Sequence, residues 1–266
     1  MDMHRADAAA HARRALLLLL LGAVALGCVV RAAEPEESDD VGARRRQARK
    51  IGPDLYELGN LRIDAKRREI RCPGVVNMSE GGPIELLACT AEGKVHESVL
   101  ILNINALDLQ VALLLLELEV GRNPAVKYAD GDPQWERKPA DMVELYVEWK
   151  ERGEGKDAER VVRRRAEELL YDVVKDAAAR PVQWAFVGSR WLDGRFGAQL
   201  TGTIIATYYD PLAVLELAAD EVNDDIWFVA NKAVLPRIGT PVELIVVKPP
   251  PKDKEAAEKK EKPEEN

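Results

Sequence analysis

The residues best suited to chemistry lie around one histidine, His96. The other two histidines fall within the first 11 residues, in a segment that looks like a removable leader. Lys94, His96 and Ser98 alternate along a predicted strand and share one face, whereas Glu97 lies on the opposite face. A single imidazole excludes zinc sites built on several histidines, and a neutral-pH base of the commonest kind must be His96.

The dipeptide Glu92-Gly93 suits a two-residue hairpin turn, which would place Cys89 across from His96. That pair would form the start of a thiolate–imidazole couple or half of a soft metal site. A three-residue turn would shift the register and separate the two side chains. The alternative is a histidine held by hydrogen bonds in a half-buried sheet. The catalytic candidates are thus His96, Glu97 and Ser98, assisted by Cys89; no complete metal site and no cofactor is predicted.

Cys72 and Cys89 are the two cysteines outside the predicted leader, and a disulfide between them is a competing use of Cys89. It would close a loop of about 16 residues and contribute about 3 kcal/mol if the two strands were neighbours in the right register. Two free buried thiols are the alternative. The ligand-binding candidates are Lys94, His96 and Cys89.

Charge argues against a nucleic-acid partner, because the chain carries a formal net charge of −8. The densest basic run, Arg163 to Arg165, is diluted by Glu159, Glu167 and Glu168. No glycine-rich phosphate loop and no nucleophile elbow occurs in the sequence.

The first 33 residues have the anatomy of a secretory signal, with three arginines before an uncharged stretch from Ala15 to Val30. This stretch of about 16 residues is shorter than the roughly 20 that a spanning helix needs. Cleavage before Ala33, lipidation of Cys28 and a retained anchor helix are the three outcomes considered. Any membrane contact is expected only through this leader or a lipid on Cys28.

Both flanks of the central domain are rich in charge and poor in apolar residues. Residues 34–52 place acids before bases and predict a disordered linker, and residues 249–266 alternate Pro, Lys, Glu and Ala and predict a disordered tail. Residues 53–248 are long enough for one core.

Within that core, short β-type runs are separated by turn residues such as Pro73-Gly74. Asn105 predicts the start of an apolar helix through Leu118, and further helices are expected from Ala166 to Ala178 and after Pro211. Asp193-Gly194 predicts a hairpin that pairs Trp191 with Phe196. The irregular order of elements predicts an α+β fold, with a largely antiparallel sheet, a buried apolar helix and one or two further helices.

Several runs carry a family resemblance: Gly82 to Ser98 with the Lys94-x-His96-Glu97-Ser98 pattern, the leucine-rich helix, Val187-Gly188-Ser189 before the Asp-Gly turn, and Gly239-Thr240-Pro241-Val242. Together they resemble the YdjY-type domain, a family of exported bacterial domains, over about Asp54 to Lys248. The resemblance implies an exported location and a shared fold. The family has no assigned activity, so no catalytic residue is carried over.

Sequence therefore favours an exported envelope domain that acts as a binding or interaction module, with an envelope protein or a small ligand as partner. An envelope hydrolase or redox enzyme using His96 is the alternative, and a membrane-tethered scaffold lipoprotein is the third.

Overall fold

The computed structural model describes residues 47–153, 159–219 and 226–250. The predicted leader with Cys28, residues 34–46 of the predicted linker and the tail from residue 251 lie outside the described residues. Expectations about these segments stay predictions.

Within the described residues the chain forms seventeen strands and two α-helices. The strands are β1 (Arg49–Gly52), β2 (Leu55–Leu58), β3 (Leu61–Asp64), β4 (Glu69–Val76), β5 (Leu86–Cys89), β6 (Ser98–Leu102), β7 (Met142–Arg152), β8 (Glu159–Arg165), β9 (Leu170–Asp172), β10 (Ala177–Ala178), β11 (Trp184–Phe186), β12 (Trp191–Leu192), β13 (Arg195–Phe196), β14 (Thr203–Ala206), β15 (Leu215–Leu217), β16 (Phe228–Ala230) and β17 (Pro241–Val247). The helices are α1 (Ala106–Leu115) and α2 (Gly197–Thr201), and short 3₁₀ helices span Val95–Glu97 and Ala166–Leu169.

Eight of these strands close into a barrel, in the order β4, β17, β7, β11, β15, β14, β5 and β6, with β6 returning to β4. About 40% of the described residues are in strands and 11% are in helices, so the predicted α+β class is wrong and the fold is mostly β. Closure depends on pairing between strands that are distant in sequence, such as β4 with β17, and the order of elements carries no record of it.

Two neighbouring strand pairs in the barrel wall are parallel: β5 with β6, and β14 with β15. Each pair is joined by a short connection, residues 90–97 and residues 207–214, that runs back outside the wall. The predicted Glu92-Gly93 hairpin is therefore wrong, because a hairpin requires antiparallel strands. In the observed register, Cys89 lies opposite Ile101 and Leu86 lies opposite Ser98.

The apolar helix begins where it was predicted to begin. The Asn105 side chain accepts hydrogen bonds from the backbone N–H groups of Leu107 and Asp108, at 3.0 and 3.2 Å. The inner face of α1 is buried, but three apolar side chains on its outer face are exposed: Val111, Leu114 and Leu115. The predicted buried helix is therefore buried on one face only.

The helix predicted from Ala166 to Ala178 is wrong. After the 3₁₀ turn the chain forms β9 and β10, an antiparallel pair. The Asp172 carboxylate accepts from the backbone N–H groups of Val174 and Lys175 and stabilises the turn between them. The segment after Pro211 is likewise a turn and not a helix.

The Asp193-Gly194 turn is confirmed. Both residues have positive φ, 48° and 78°, and Trp191 lies opposite Phe196 with ring centres 5.5 Å apart. The hairpin is only two residues long on each side, because α2 follows directly. Pro73-Gly74, in contrast, lies inside β4, where a Cβ on Gly74 would come 2.6 Å from the carbonyl oxygen of Ile101.

Other strands lie outside the eight-stranded barrel. A meander of β1, β2 and β3 extends from β4, and its first strand begins at Arg49, inside the predicted linker. The strands β10, β9 and β16 form a separate three-stranded sheet. This small sheet borders the cleft described below.

Candidate functional site

The predicted Lys94–Ser98 strand is mostly a short helical turn on the surface. His96 lies in the 3₁₀ helix with its side chain 74% exposed, and its Nε2 atom is 3.6 Å from Oε1 of Glu97. Lys94 bonds to Glu85 and lies 3.8 Å from Glu97. The side chains of His96 and Glu97 thus lie close together, although the predicted strand would have placed them on opposite faces.

Cys89 and His96 are not brought together across a hairpin. The side chain of Cys89 is buried, and burial raises the pKa of its thiol, although a hydrogen bond with Ser98 opposes the rise. Ser98 is also buried, and its hydroxyl donates to the carbonyl of Leu100 at 2.9 Å. A neutral buried thiol is a poor nucleophile, so the structure gives no support to a thiolate–imidazole couple.

The disulfide considered from sequence also finds no support, since Cys72 and Cys89 are both free and buried. Cys89 lies opposite Ile101 on β6, and Ile101 lies opposite Val75 on β4. One strand thus separates the two cysteines, and a three-residue offset adds to the distance. Their Cα atoms are far beyond the roughly 7 Å that a disulfide allows. Burial raises the pKa of the Cys72 thiol.

A stronger concentration of ionisable groups lies on the outer face of the barrel at Glu216. Alternation along β15 turns Leu215 and Leu217 into the core and Glu216 outward. Its neighbours across the adjacent strands are small, Ala185 on β11 and Ala206 on β14. These alanines leave space for polar side chains from the segment 121–140, which we call the long loop.

Glu216 is fully buried beneath the long loop. Its two carboxyl oxygens accept hydrogen bonds from Nδ2 of Asn123 at 3.1 Å and from the backbone N–H of Asp210 at 3.2 Å. Burial raises the pKa of Glu216 to about 8, and the charge of Asp210 adds to the rise while both hydrogen bonds and Arg190 oppose it. Glu216 is therefore largely protonated at neutral pH.

A second cluster attaches the middle of the long loop to the barrel. Asp132 accepts from Arg190 at 2.7 Å and from the hydroxyl of Tyr209, which also accepts from Arg190 at 3.0 Å. Burial opposes ionisation of Asp132, but its hydrogen bonds and Arg190 outweigh this and hold its pKa below the usual value. Tyr128 packs edge-on against Tyr209 with ring centres 5.3 Å apart.

We call these residues the polar centre: Asn123, Tyr128, Asp132, Arg190, Tyr209, Asp210 and Glu216. One predicted residue reaches it, because Lys94 is close enough to Asp210 for each to shift the pKa of the other. The carboxylates of the centre accept their hydrogen bonds from protein groups. Nearby, both amide atoms of buried Gln134 and the Nε atom of Arg190 have no hydrogen-bond partner in the described structure.

A cleft of about 440 Å³ opens between the small sheet and the end of β15. Its walls include Lys175, Arg180, Leu217 and Phe228. A second cleft of about 580 Å³ adjoins it and shares Pro181, Val182 and Ala218 with it. We call the two together the double cleft; their size is typical of ligand-binding sites.

Cations and apolar groups line the double cleft together. Lys175 lies 3.2 Å from Asp172 and 5.9 Å from the ring centre of Trp227. Arg165, in the second cleft, donates to Glu167 and to the carbonyl of Val182. Arg180 is exposed and forms no ion pair within the described ranges. The double cleft can therefore offer one guanidinium to an anionic group beside an apolar wall.

Metal and membrane sites were also assessed in the described part of the chain. No group of three or more His, Cys, Asp or Glu side chains there could hold a metal ion. No helix among the same residues is long and apolar enough to cross a membrane.

A comparison with models of known protein families gives a match for this chain. The model of the YdjY domain matches residues 61–247, which is most of the chain. The chain belongs to the YdjY domain family. The resemblance stated from sequence is confirmed, whereas no curated protein and no solved structure matches the chain. The family description names no activity, so the YdjY domain must be interpreted from its own residues.

Sequence reasoning missed both the polar centre and the double cleft of this YdjY domain. One signal was present: Glu216 is a single acid in the apolar run from Ala213 to Ala219, in a segment that ends up as a barrel strand. Its partners come from loops that are remote in sequence, such as Asn123 and Arg190. Nothing in their spacing links them, so only the folded chain shows the centre.

Proposed function

We propose that this YdjY-domain protein is an exported bacterial envelope protein whose domain works as a binding module. The ligand class that we propose is a molecule with an anionic group and an apolar body, taken into the double cleft. The observation that carries the proposal is the position of Arg180 beside the apolar wall of Pro181, Val182 and Phe228.

A comparison of the polar centre and His96 with the double cleft favours binding over catalysis. The side chains of the polar centre bond to one another, and His96 is an exposed residue that lines neither part of the double cleft. A catalytic group must reach a substrate atom at hydrogen-bond distance. The double cleft, in contrast, has volume, a cation and apolar surface in one place.

Binding is tested with octanoate as the probe, against octylammonium, which has the same apolar chain and the opposite charge. We expect octanoate to shift the amide resonances of residues 172–182 and 217–219, and Arg180→Gln to weaken its binding about tenfold, the loss of one charge-assisted hydrogen bond. Arg195→Gln, which removes an exposed arginine on β13, is the matched control and should bind as the wild type does. Equal binding by both variants, or no octanoate binding at all, contradicts the proposal.

Export is tested separately, by the mass of the protein purified from its own envelope. We expect a chain that begins near Ala33, as the leader predicts. A lipid on Cys28 would instead support the tethered-scaffold alternative. A chain that keeps residues 1–32 would overturn cleavage. Turnover of a substrate that is lost in His96→Ala would favour the enzyme alternative.

A further inference from the structure

The long loop is closed at its base and irregular above it. Near the base, the backbone N–H of Arg122 donates to the carbonyl of Lys138 at 2.8 Å, and that of Ala140 donates to the carbonyl of Arg122 at 2.9 Å. The N–H of Gly121 donates to the carbonyl of Phe186 on β11. Loops of this length without helices or strands are uncommon in compact domains and are frequently functional.

Above its base, the side chains of three loop residues bond to the barrel side. Asn123 bonds to Glu216 and to the carbonyl of Leu217, Asp132 bonds to Arg190 and Tyr209, and Arg137 donates to the carbonyl of Val187 at 3.2 Å. Most of the loop's other hydrogen bonds are internal turns. Val126 also lies in the hydrophobic core, and Ala125 and Tyr128 pack against it. The rest of the loop forms no helix or strand and is attached by these few polar contacts, so it opens at a lower free energy than the barrel unfolds.

One end of the long loop is also a wall of the double cleft. Pro124 lines the second cleft, and Leu217, whose carbonyl accepts from Asn123 at 2.8 Å, lines the first. The same Asn123 amide bonds to Glu216. A movement of Asn123 away from Glu216 therefore changes the shape of the cleft.

We propose that the long loop is a lid of the double cleft, and that protonation of Glu216 holds this lid closed. The inference deepens the binding function proposed above and rests on it for its purpose, although the motion of the lid can be measured without any ligand.

The charges around Glu216 explain why its ionisation should open the lid. The titratable and charged groups that face it are Tyr209 and Asp210 from the connection 207–214, Arg190 from the segment after β11, and Tyr128 from the loop. One step further out, Arg122 and Asp132 act on Tyr128, and Lys94 and Glu85 act on Asp210. Arg190 is already bonded to Asp132. An ionised Glu216 is thus left beside the acidic Asp210 and needs water, which lid opening supplies.

The direction of the pH effect follows from linkage. The closed state raises the pKa of Glu216 to about 8, mainly through burial, whereas an open, hydrated Glu216 has an ordinary carboxyl pKa. The open population should therefore rise about tenfold for each pH unit between these two values and become constant above the higher one. Acid closes the lid and neutral to alkaline pH opens it.

Amide hydrogen exchange of the wild-type protein, corrected for the intrinsic pH dependence of exchange, tests this directly. Between pH 5.5 and 7.5 we expect the corrected exchange of residues 123–137 to rise about tenfold per pH unit and to stay much faster than that of the strands β4 and β17, which open only when the whole fold unfolds. Glu216→Gln should remove the slope. Glu243→Gln, the same change on the outer face of the barrel, should keep it.

Two further results decide the inference. Asn123→Ala disconnects the loop from Glu216, so fast loop exchange at all pH values is expected, with protected barrel strands showing that the fold is intact. A loop whose exchange has no pH slope in the wild type, or has the same slope in Glu216→Gln, overturns the lid. A normal slope without octanoate binding leaves the lid standing and removes the proposed ligand.

Discussion

The surface turn at Lys94–Ser98 and the polar centre at Glu216 are both rich in ionisable groups, but they differ in solvent access. His96 keeps three quarters of its side chain in water, whereas Glu216 is fully buried with two hydrogen-bond donors beside it. Histidine, the residue type that suggests chemistry, thus lies where water screens its interactions with other groups. The side chain whose pKa is strongly shifted is the carboxyl group of Glu216, which the sequence did not single out. The shift comes from desolvation, and the residue type alone does not reveal it.

The largest expected difference between the two regions is in stability. Glu216→Ala removes a buried side chain and leaves one of the two amide hydrogens of Asn123 and the backbone N–H of Asp210 without an acceptor, so we expect the free energy of unfolding at pH 6 to fall by about 3 kcal/mol. His96→Ala should change it by less than about 0.5 kcal/mol. Urea unfolding of both variants checks this, and equal effects would break the comparison.

The next effect is the pH dependence of stability. Burial raises the pKa of Glu216 to about 8 in the folded state. The stabilisation linked to the protonated Glu216 side chain is therefore fully present below its pKa in the unfolded chain. It is lost as pH rises through its pKa in the folded chain. We expect the free energy of unfolding of the wild type to fall by about 2 kcal/mol between pH 6 and pH 8. Glu216→Gln should show a nearly flat profile in this window. His96→Ala should follow the wild type.

A smaller effect is expected for the tyrosine that attaches the long loop. Tyr209→Phe removes a hydroxyl that donates to Asp132 and accepts from Arg190, and should lower stability by about 1 kcal/mol and speed exchange of the loop amides. Thermal unfolding and amide exchange measure both changes. Tyr171→Phe, whose hydroxyl bonds to exposed Asp176, is the control and should leave the loop unchanged.

The smallest expected effect concerns the cysteines. Since Cys72 and Cys89 are free, a reductant should not change the melting temperature, whereas loss of a disulfide worth about 3 kcal/mol would lower it by several degrees. A thiol reagent should label neither cysteine in the native protein and both after unfolding. One disulfide per chain would contradict the strand order described above.

Local signals in the sequence were reliable where one short segment decides the structure. Asn105 begins α1 because its side chain bonds to the next turn of the same chain, and Asp193-Gly194 turns because both residues accept positive φ.

The errors came from pairings that the local pattern does not encode. The sequence predicted strands on both sides of Glu92-Gly93 but not that β5 and β6 are parallel, and the whole Cys89–His96 hypothesis depended on an antiparallel register. The segment from Ala166 had helical spacing, yet the turn stabilised by Asp172 and the pairing of β9 with β16 override it.

The sequence by itself determined the family, the extent of the domain and local features such as the Asp193-Gly194 turn, because these depend on composition and on neighbours along the chain. Only the tertiary structure decided three features: the closure of the barrel, the positions of Cys72 and Cys89 in the sheet, and the clustering of Asn123, Arg190 and Glu216. They depend on contacts between residues that are far apart in sequence, and on how completely the folded chain removes a carboxyl group from water.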